Sequence, residues 1–368
     1  MTPRPSTSKL PAALGYRMPA EWEPHESTWL AWPHLRGDWP GKFEPIPWVY
    51  AEIIRNLARH ERVDLIVKSE RAEKSARAVL EQADALSDNV CFHRWRTDRV
   101  WTRDSGCIFL VPSRDHRDPR LLALHFQFNG WAKYPNYQFD EKVGGRMAKA
   151  AGARVVRPVS VDPNNEDHRV VLEGGSIDVN GCGTLITTEE CLLSTTQQRN
   201  PPMDRAAYEQ MFADYFGAQC VIWLDSGIAG DDTHGHVDDI TRFVATNTVV
   251  TMVEQNEQNE NYASLYANLG RLKAARTADG QKLEIVEIPM PRPVVFESRQ
   301  LPASYANFYI ANGAVLVPVF NDPNDRIALN TLAELFPTRE IVPIYSGDLI
   351  WGFGALHCMT QQQPAVGS

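Results

Sequence analysis

The chain has 368 residues, 43% of them hydrophobic and 23% charged, the balance of a globular protein that can bury a sizeable core. Its formal charge of −9, from 37 basic and 46 acidic residues with no basic run, argues against a nucleic-acid partner and allows a small cationic one. No apolar run approaches the roughly 20 residues of a membrane helix.

Residues 1–14 are rich in Pro, Ser and Thr, lack the apolar segment of a signal peptide, and read as a flexible N-terminal tail. Residues 15–368 read as a single domain. Its first strand is Ser27-Thr28-Trp29-Leu30-Ala31-Trp32, followed by a helix near 47–59 and a strand at 63–67. Strands at 107–111 and 122–128, a helix over 139–151 and a strand at 153–157 come next. Strands at 176–179 and 184–187 flank the turn Asn180-Gly181, with a helix over 203–216 and a strand at 220–224. The same order returns as strands at 241–245 and 248–252, a helix near 260–275 and a strand at 283–286. It returns again as strands at 307–310 and 314–317 around Asn312-Gly313, a helix over 325–335 and a strand at 340–344.

Asn180, Asn247 and Asn312 mark the turns of the last three units at nearly equal spacing. A strand near Cys358 completes the N-terminal unit and closes a ring. The chain therefore reads as α/β, a five-bladed pseudo-symmetric propeller of ββαβ units that form one domain because none buries its faces alone. The alternative is an ordinary α/β sandwich without symmetry.

Asp104, Glu173, His236 and Cys358 each stand at the edge of a unit's first strand, so a ring brings them together on its axis. A thiol, an imidazole and several carboxylates suit covalent attack on a cationic carbon. His236 serves as general acid and base, with Asp238 on the same face two residues on. Asp104, Asp238 and Glu173 suit a planar guanidinium, because a carboxylate accepts two parallel N–H bonds from its fork. Trp101 and Arg103 flank Asp104 and are taken as substrate-binding. His234-Gly235-His236 with Asp238 also admits a metal-site reading, which needs both imidazoles on one ion. His357, next to Cys358 on a strand, is expected to face the other way. Cys91, Cys107, Cys182, Cys191, Cys220 and Cys358 contain no C-x-x-C pair, which suggests a reduced, cytoplasmic protein.

These stretches together resemble the agmatine deiminase family of the guanidino-group-modifying superfamily. The likeness runs from Ala20-Glu21-Trp22-Glu23-Pro24-His25-Glu26 to Gln361-Gln362-Gln363-Pro364, through Phe128-Asn129-Gly130-Trp131, Gly227–Thr233 and Tyr305-Ala306-Asn307-Phe308. The resemblance implies a five-fold α/β propeller that deiminates a small guanidino compound, agmatine first, to give N-carbamoylputrescine and ammonia. Arginine or peptidyl-arginine deimination and amidino transfer are the alternatives. It implies Cys358 as nucleophile, His236 and Asp238 as the His and Asp of a G-H-V-D stretch, and Asp104 and Glu173 as the acids of W-x-R-D-S-G-P and L-E-G-G. It implies no metal, no organic cofactor, and a homo-oligomer, a dimer in the simplest case. The chain departs from the family pattern at His234, Cys107, Phe353 and Ala355.

Overall fold

The computed structural model describes residues 10–113, 120–161, 167–201 and 203–366. They form an α/β fold built on five sheets with a common plan: two antiparallel strands, a helix, and a third strand parallel to the second. Asp178–Val179, Thr184–Thr188 and Cys220–Leu224 make one such sheet, with the helix Arg205–Phe216 between the second and third strands. Thr241–Ala245, Thr248–Val253 and Glu284–Pro289 make the next, with the helix Tyr262–Ala274. Tyr309–Ile310, Ala314–Val319 and Glu340–Tyr345, with the helix Asp325–Leu335, make a third.

The remaining two sheets each gain a strand. Ile108–Pro112, Leu122–Leu124 and Arg154–Val156 follow the plan and are extended by Tyr16–Arg17. In the last sheet the C-terminal strand Gln361–Pro364 lies antiparallel to His25–Ala31, so the two ends of the chain share one unit, as the sequence pattern predicts. That sheet continues through Arg62–Val67 to an extra parallel strand, Val90–Arg94, reached by the helix Glu70–Gln82. This helix–strand pair lay outside the five-unit reading because it has no counterpart in the other units.

Local chemistry explains the boundaries. Ser69 and Asp204 cap their helices by accepting from Ala72 N and Ala207 N, contacts worth about 1 kcal/mol each. The helix Arg205–Phe216 stops at Gly217, whose φ of 73° only glycine adopts without strain. Strands such as Val315-Leu316-Val317 are continuous apolar runs because both of their faces are covered. The cores are shared between neighbouring units. Trp29, Phe109, Leu316 and Ile344 belong to one cluster, Ile186, Val249 and Val315 to a second, and Leu110 with Leu185 to a third.

Residues 10–14 differ from the expected tail. Leu10 is buried in the third cluster and Ala12 N donates to Asp214 O, so this stretch packs against the helix Arg205–Phe216. Residues 1–9 of that tail lie outside the described residues. Among the described residues, no helix is long and apolar enough to cross a membrane.

Candidate active site

Five single-turn helices precede the first strands of the five units: Thr102–Ser105, Gly174–Ser176, Val237–Asp239, Tyr305–Asn307 and Leu356–Met359. Each packs on the next, and the last packs on the first. Asp104, Asp238, Asp239, Asn307, His357 and Cys358 sit on these turns, and Glu173 and His236 sit at the N-caps of two of them. The expectation that pre-strand positions converge is met for Asp104, Glu173, His236, Asp238 and Cys358. Cys358 differs in one respect: it lies in a helical turn, not in a strand.

The thiol of Cys358 accepts a hydrogen bond from Asn307 Nδ2 at 3.1 Å and lies 3.7 Å from Asp238 Oδ2. The same Asn307 amide donates to Asp239 Oδ1, and its carbonyl oxygen accepts from the backbone of His357 at 3.0 Å and Cys358 at 3.3 Å. Asn307 thus holds the turn and its sulfur together. His236 is fully buried, with Nδ1 3.9 Å from Asp104 Oδ1 and Nε2 3.9 Å from Glu173 Oε2. Both separations exceed a hydrogen bond. Glu173 is paired behind by Arg199 at 3.1 Å, with both side chains wholly buried. Both His236 nitrogens, Glu173 Oε2 and Asp238 Oδ1 are buried without a partner. Orphaned polar atoms are costly, so four of them in one cluster mark a place where a ligand completes the bonding.

The charges follow from these neighbours. Burial alone would discharge His236, but Asp104, Cys191 and Glu173 together keep the imidazole protonated well above its ordinary range. Burial raises the Cys358 thiol well above its usual value, reinforced by Asp238, Asp239 and Asp104. A neutral thiol beside anionic carboxylates becomes a thiolate more easily once a cation enters. Glu173 falls to about 2, because Arg199 and His236 outweigh its burial. Asp104 is pushed up by burial to about 6 and accepts from Trp131 Nε1 and Gly175 N.

Gly175 shows how tightly this cluster is built. A Cβ there would stand 2.6 Å from His236 Nδ1 and 3.0 Å from Asp238 Oδ2. Gly175→Ala is therefore expected to displace His236, lowering activity by at least about 100-fold and stability by about 1–3 kcal/mol. Ammonia release and thermal unfolding check this; a fully active Gly175→Ala protein would show that the cluster tolerates movement.

A cavity of about 290 Å³ ends on Cys358 and Asp104 and is walled by Trp101, Trp131, Trp351 and Phe353. Glu173, His236 and Asp238 do not line it; they lie behind its floor. Trp101 is placed as expected. Arg103 is not: its guanidinium turns away, to Gln362 Oε1 at 2.7 Å, His357 O and Glu21 Oε2. It is a scaffold residue, because consecutive residues of a helical turn point in different directions. His357 is the second correction. Its ring faces the site, with Nδ1 2.7 Å from Asp238 Oδ2, since the turn it occupies is helical and not extended.

The paired-imidazole metal reading fails on geometry. His234, at φ 64°, turns to Ser194 and Glu190, away from His236. Ligand atoms of Glu173, Cys191 and His236, and of Asp238, Asp239 and Cys358, do cluster within 4.8 Å. Neither group includes His234, so neither is the paired-imidazole site.

Asn307, Asp239, Arg199 and Glu21 were not singled out as site residues. Asn307 had a usable signal, because it stands before the first strand of the fifth unit as the others do in theirs. Asp239 adjoins Asp238. Nothing in the sequence points to Arg199, which reaches Glu173 from a loop of the same unit.

A buried thiol and one carboxylate at the end of an aromatic cavity, backed by a charged imidazole and three further carboxylates, make an enzyme site suited to cationic carbon chemistry. The chain belongs to the Porphyromonas-type peptidyl-arginine deiminase family, which matches residues 17–364. It is 34% identical to an agmatine deiminase of Pseudomonas aeruginosa strain LESB58, over 96% of this chain and 97% of that one. The solved agmatine deiminase of Enterococcus faecalis is 27% identical with a TM-score of 0.86, covering 96% of this chain and 97% of its own. A substrate-bound agmatine deiminase of C. jejuni is 29% identical with a TM-score of 0.82, over 95% and 97%.

Proposed function

We propose that this chain hydrolyses agmatine to N-carbamoylputrescine and ammonia, a step toward putrescine, through a covalent adduct on Cys358. The observation that carries this reading is a cavity ending on Cys358 and Asp104, with Asp238 beside the thiol and the protonated His236 beside Asp104 behind its floor. Agmatine deiminases with 34% identity over nearly the whole chain support the substrate.

In this mechanism Asp104, Asp238 and Glu173 take the N–H groups of the guanidinium. Sγ bonds to the central carbon and releases its proton, for which Asp238 Oδ2 is the near acceptor at 3.7 Å. His236 gives a proton to the departing nitrogen as the C–N bond breaks and is left neutral, while the thiol's proton stays on Asp238 and returns to Sγ when the C–S bond later breaks. Ammonia leaves and an S-alkylthiouronium remains. Water then attacks with His236 as base, the C–S bond breaks, and the ureido product departs. The chemistry uses neither metal nor organic cofactor. Turnover in heavy-oxygen water should place the label in the ureido group; transfer of an amidine to an added amine, without label, would make the chain an amidinotransferase.

If guanidinium binding needs the Asp104 anion, kcat/KM should fall as pH drops through about 6, and Asp104→Asn should remove that limb while raising KM. An unchanged profile in the variant would take Asp104 out of the site.

At the outer end, Asp232 is engaged by Lys133, Arg299 and Tyr134, whereas Asp38 meets Arg99 at 3.6 Å through Oδ1 and keeps Oδ2 unpartnered. Asp38 is thus the acid free to take agmatine's distal ammonium. Asp38→Asn should raise KM for agmatine about 10-fold with little change in kcat, and an unchanged KM would exclude it. Arg299, stacked 3.9 Å over Phe353 at the cavity wall, favours a second reading, in which a substrate carboxylate meets it and free arginine is deiminated.

We further read the five units as blades of a closed five-bladed α/β propeller, one catalytic domain from residue 15 onward. The contact of each pre-strand turn with the next supports the closure. A cytoplasmic homodimer is the simplest state, and six free cysteines agree with a reducing compartment.

A further inference from the structure

His357 joins two buried carboxylates that belong to different parts of the fold. Its Nδ1 is 2.7 Å from Asp238 Oδ2 and its Nε2 is 2.7 Å from Glu21 Oε2. Glu21 is itself anchored: Arg242 stands 2.9 Å from Oε1, Arg103 donates to Oε2 at 3.3 Å, and Ile310 N donates at 2.8 Å. This arrangement repeats, in outline, what Arg199 does for Glu173. In each case a basic group behind the site takes one carboxylate oxygen, and the other oxygen, Asp238 Oδ1 or Glu173 Oε2, is left buried and unpartnered.

The other two carboxylates are treated differently. Asp104 accepts from the neutral donors Trp131 and Gly175 N, and Asp239 from the neutral Asn307 amide. Four carboxylates in one buried cluster cannot all keep their charge, because like charges drive some of them to protonate. The groups backed by a base are the ones that stay anionic. The ionisation of the four follows the same division: burial pushes Asp104 and Asp239 up, while His357 holds Asp238 below its usual range against burial.

From this geometry we infer that Glu21 and His357 form a charge-setting pair, positioning residues that hold Asp238 as an anion with Oδ1 free for the guanidinium. Neither need touch the reacting atoms. The inference rests on a guanidinium ligand but not on agmatine in particular. The groups facing Asp238 are His357 and Cys358 from the last turn, Asp104 from the first, Arg242 from the strand Thr241–Ala245, and His236 and Asp239 from its own segment. Of these, His357 holds Asp238 through a ring N–H at 2.7 Å and is the strongest influence opposing its burial, so it is the group whose loss Asp238 should feel most.

The test uses the guanidinium ion itself, at sub-denaturing concentration, to protect Cys358 from iodoacetamide. In His357→Gln the half-protective concentration at neutral pH should rise about 100-fold, the order expected when a buried charge loses its partner. Because His357 lowers the pH at which Asp238 ionises, its removal should move the acid limb of protection to higher pH, so protection returns as pH is raised. Asp238→Asn should lose protection at every pH. A purely structural role would move the melting temperature without producing that pH-dependent return. Should His357→Gln not fold, Glu21→Gln carries the same test, since it keeps the shape of the pair and removes its charge. An unchanged protection curve in the folded variant, or no protection of the wild type, overturns the inference. A protected wild type that releases no ammonia from agmatine would instead sink the agmatine reading and leave this one standing.

Discussion

Cys358→Ala should abolish turnover of every guanidino substrate, by about 10⁴-fold or more, while the protein stays folded. Among the described residues that line the cavity, Cys358 carries the thiol: its sulfur sits beside Asp238 and is oriented by Asn307. Alanine removes that sulfur and one hydrogen bond, leaving the turn Leu356–Met359 held by the bonds from His357 N and Cys358 N to Asn307. Substrate should still bind, because Asp104, Asp238 and Glu173 are intact. Ammonia release, thermal unfolding and agmatine binding measured on one preparation separate these effects. A Cys358→Ala protein that turns over at the wild-type rate would end the covalent account.

His236→Gln should cost about 10³-fold in kcat, within the range for loss of a general acid–base group. His236 makes no hydrogen bond through either ring nitrogen, so little native bonding is lost with it. What is lost is the proton donor for the leaving ammonia and the cation between Asp104 and Glu173. Asp104 leans on that cation, since His236 is the strongest influence opposing its burial. Without it Asp104 should ionise at higher pH, so kcat/KM falls at least as far as kcat and its acid limb moves upward. Steady-state kinetics over a pH series read both. If only KM changed, His236 would be a binding residue and the proton transfers would need another group.

The repeat was legible because its punctuation is chemical. Asn180-Gly181 and Asn312-Gly313 mark hairpins, apolar strands follow, and helices of 8 to 13 residues come after. The helix Asp325–Leu335 matches its predicted bounds, and the other repeat helices agree to within a few residues. The helix Glu70–Gln82 and the strand Val90–Arg94 were passed over because they break the repeat, although Ser69 is an ordinary N-cap. In the site, residues were found where rare types stood at equivalent positions. Errors arose where orientation mattered. Neighbourhood along the chain misplaces Arg103 and His357, because each lies in a helical turn that reverses the expected facing. Arg199 and Glu21 escaped for a different reason. They act from behind the site through long-range pairs, and no local pattern distinguishes a buried Arg–Glu pair from a solvated one.

The central claim is that this chain releases ammonia from a guanidino compound through Cys358. Ammonia release from agmatine, free arginine and a peptidyl-arginine, each with wild type and with Cys358→Ala, tests it most directly. The account predicts release from agmatine by the wild type and none by the variant. Release from none of the three by folded wild type, or equal release by both proteins, would contradict it.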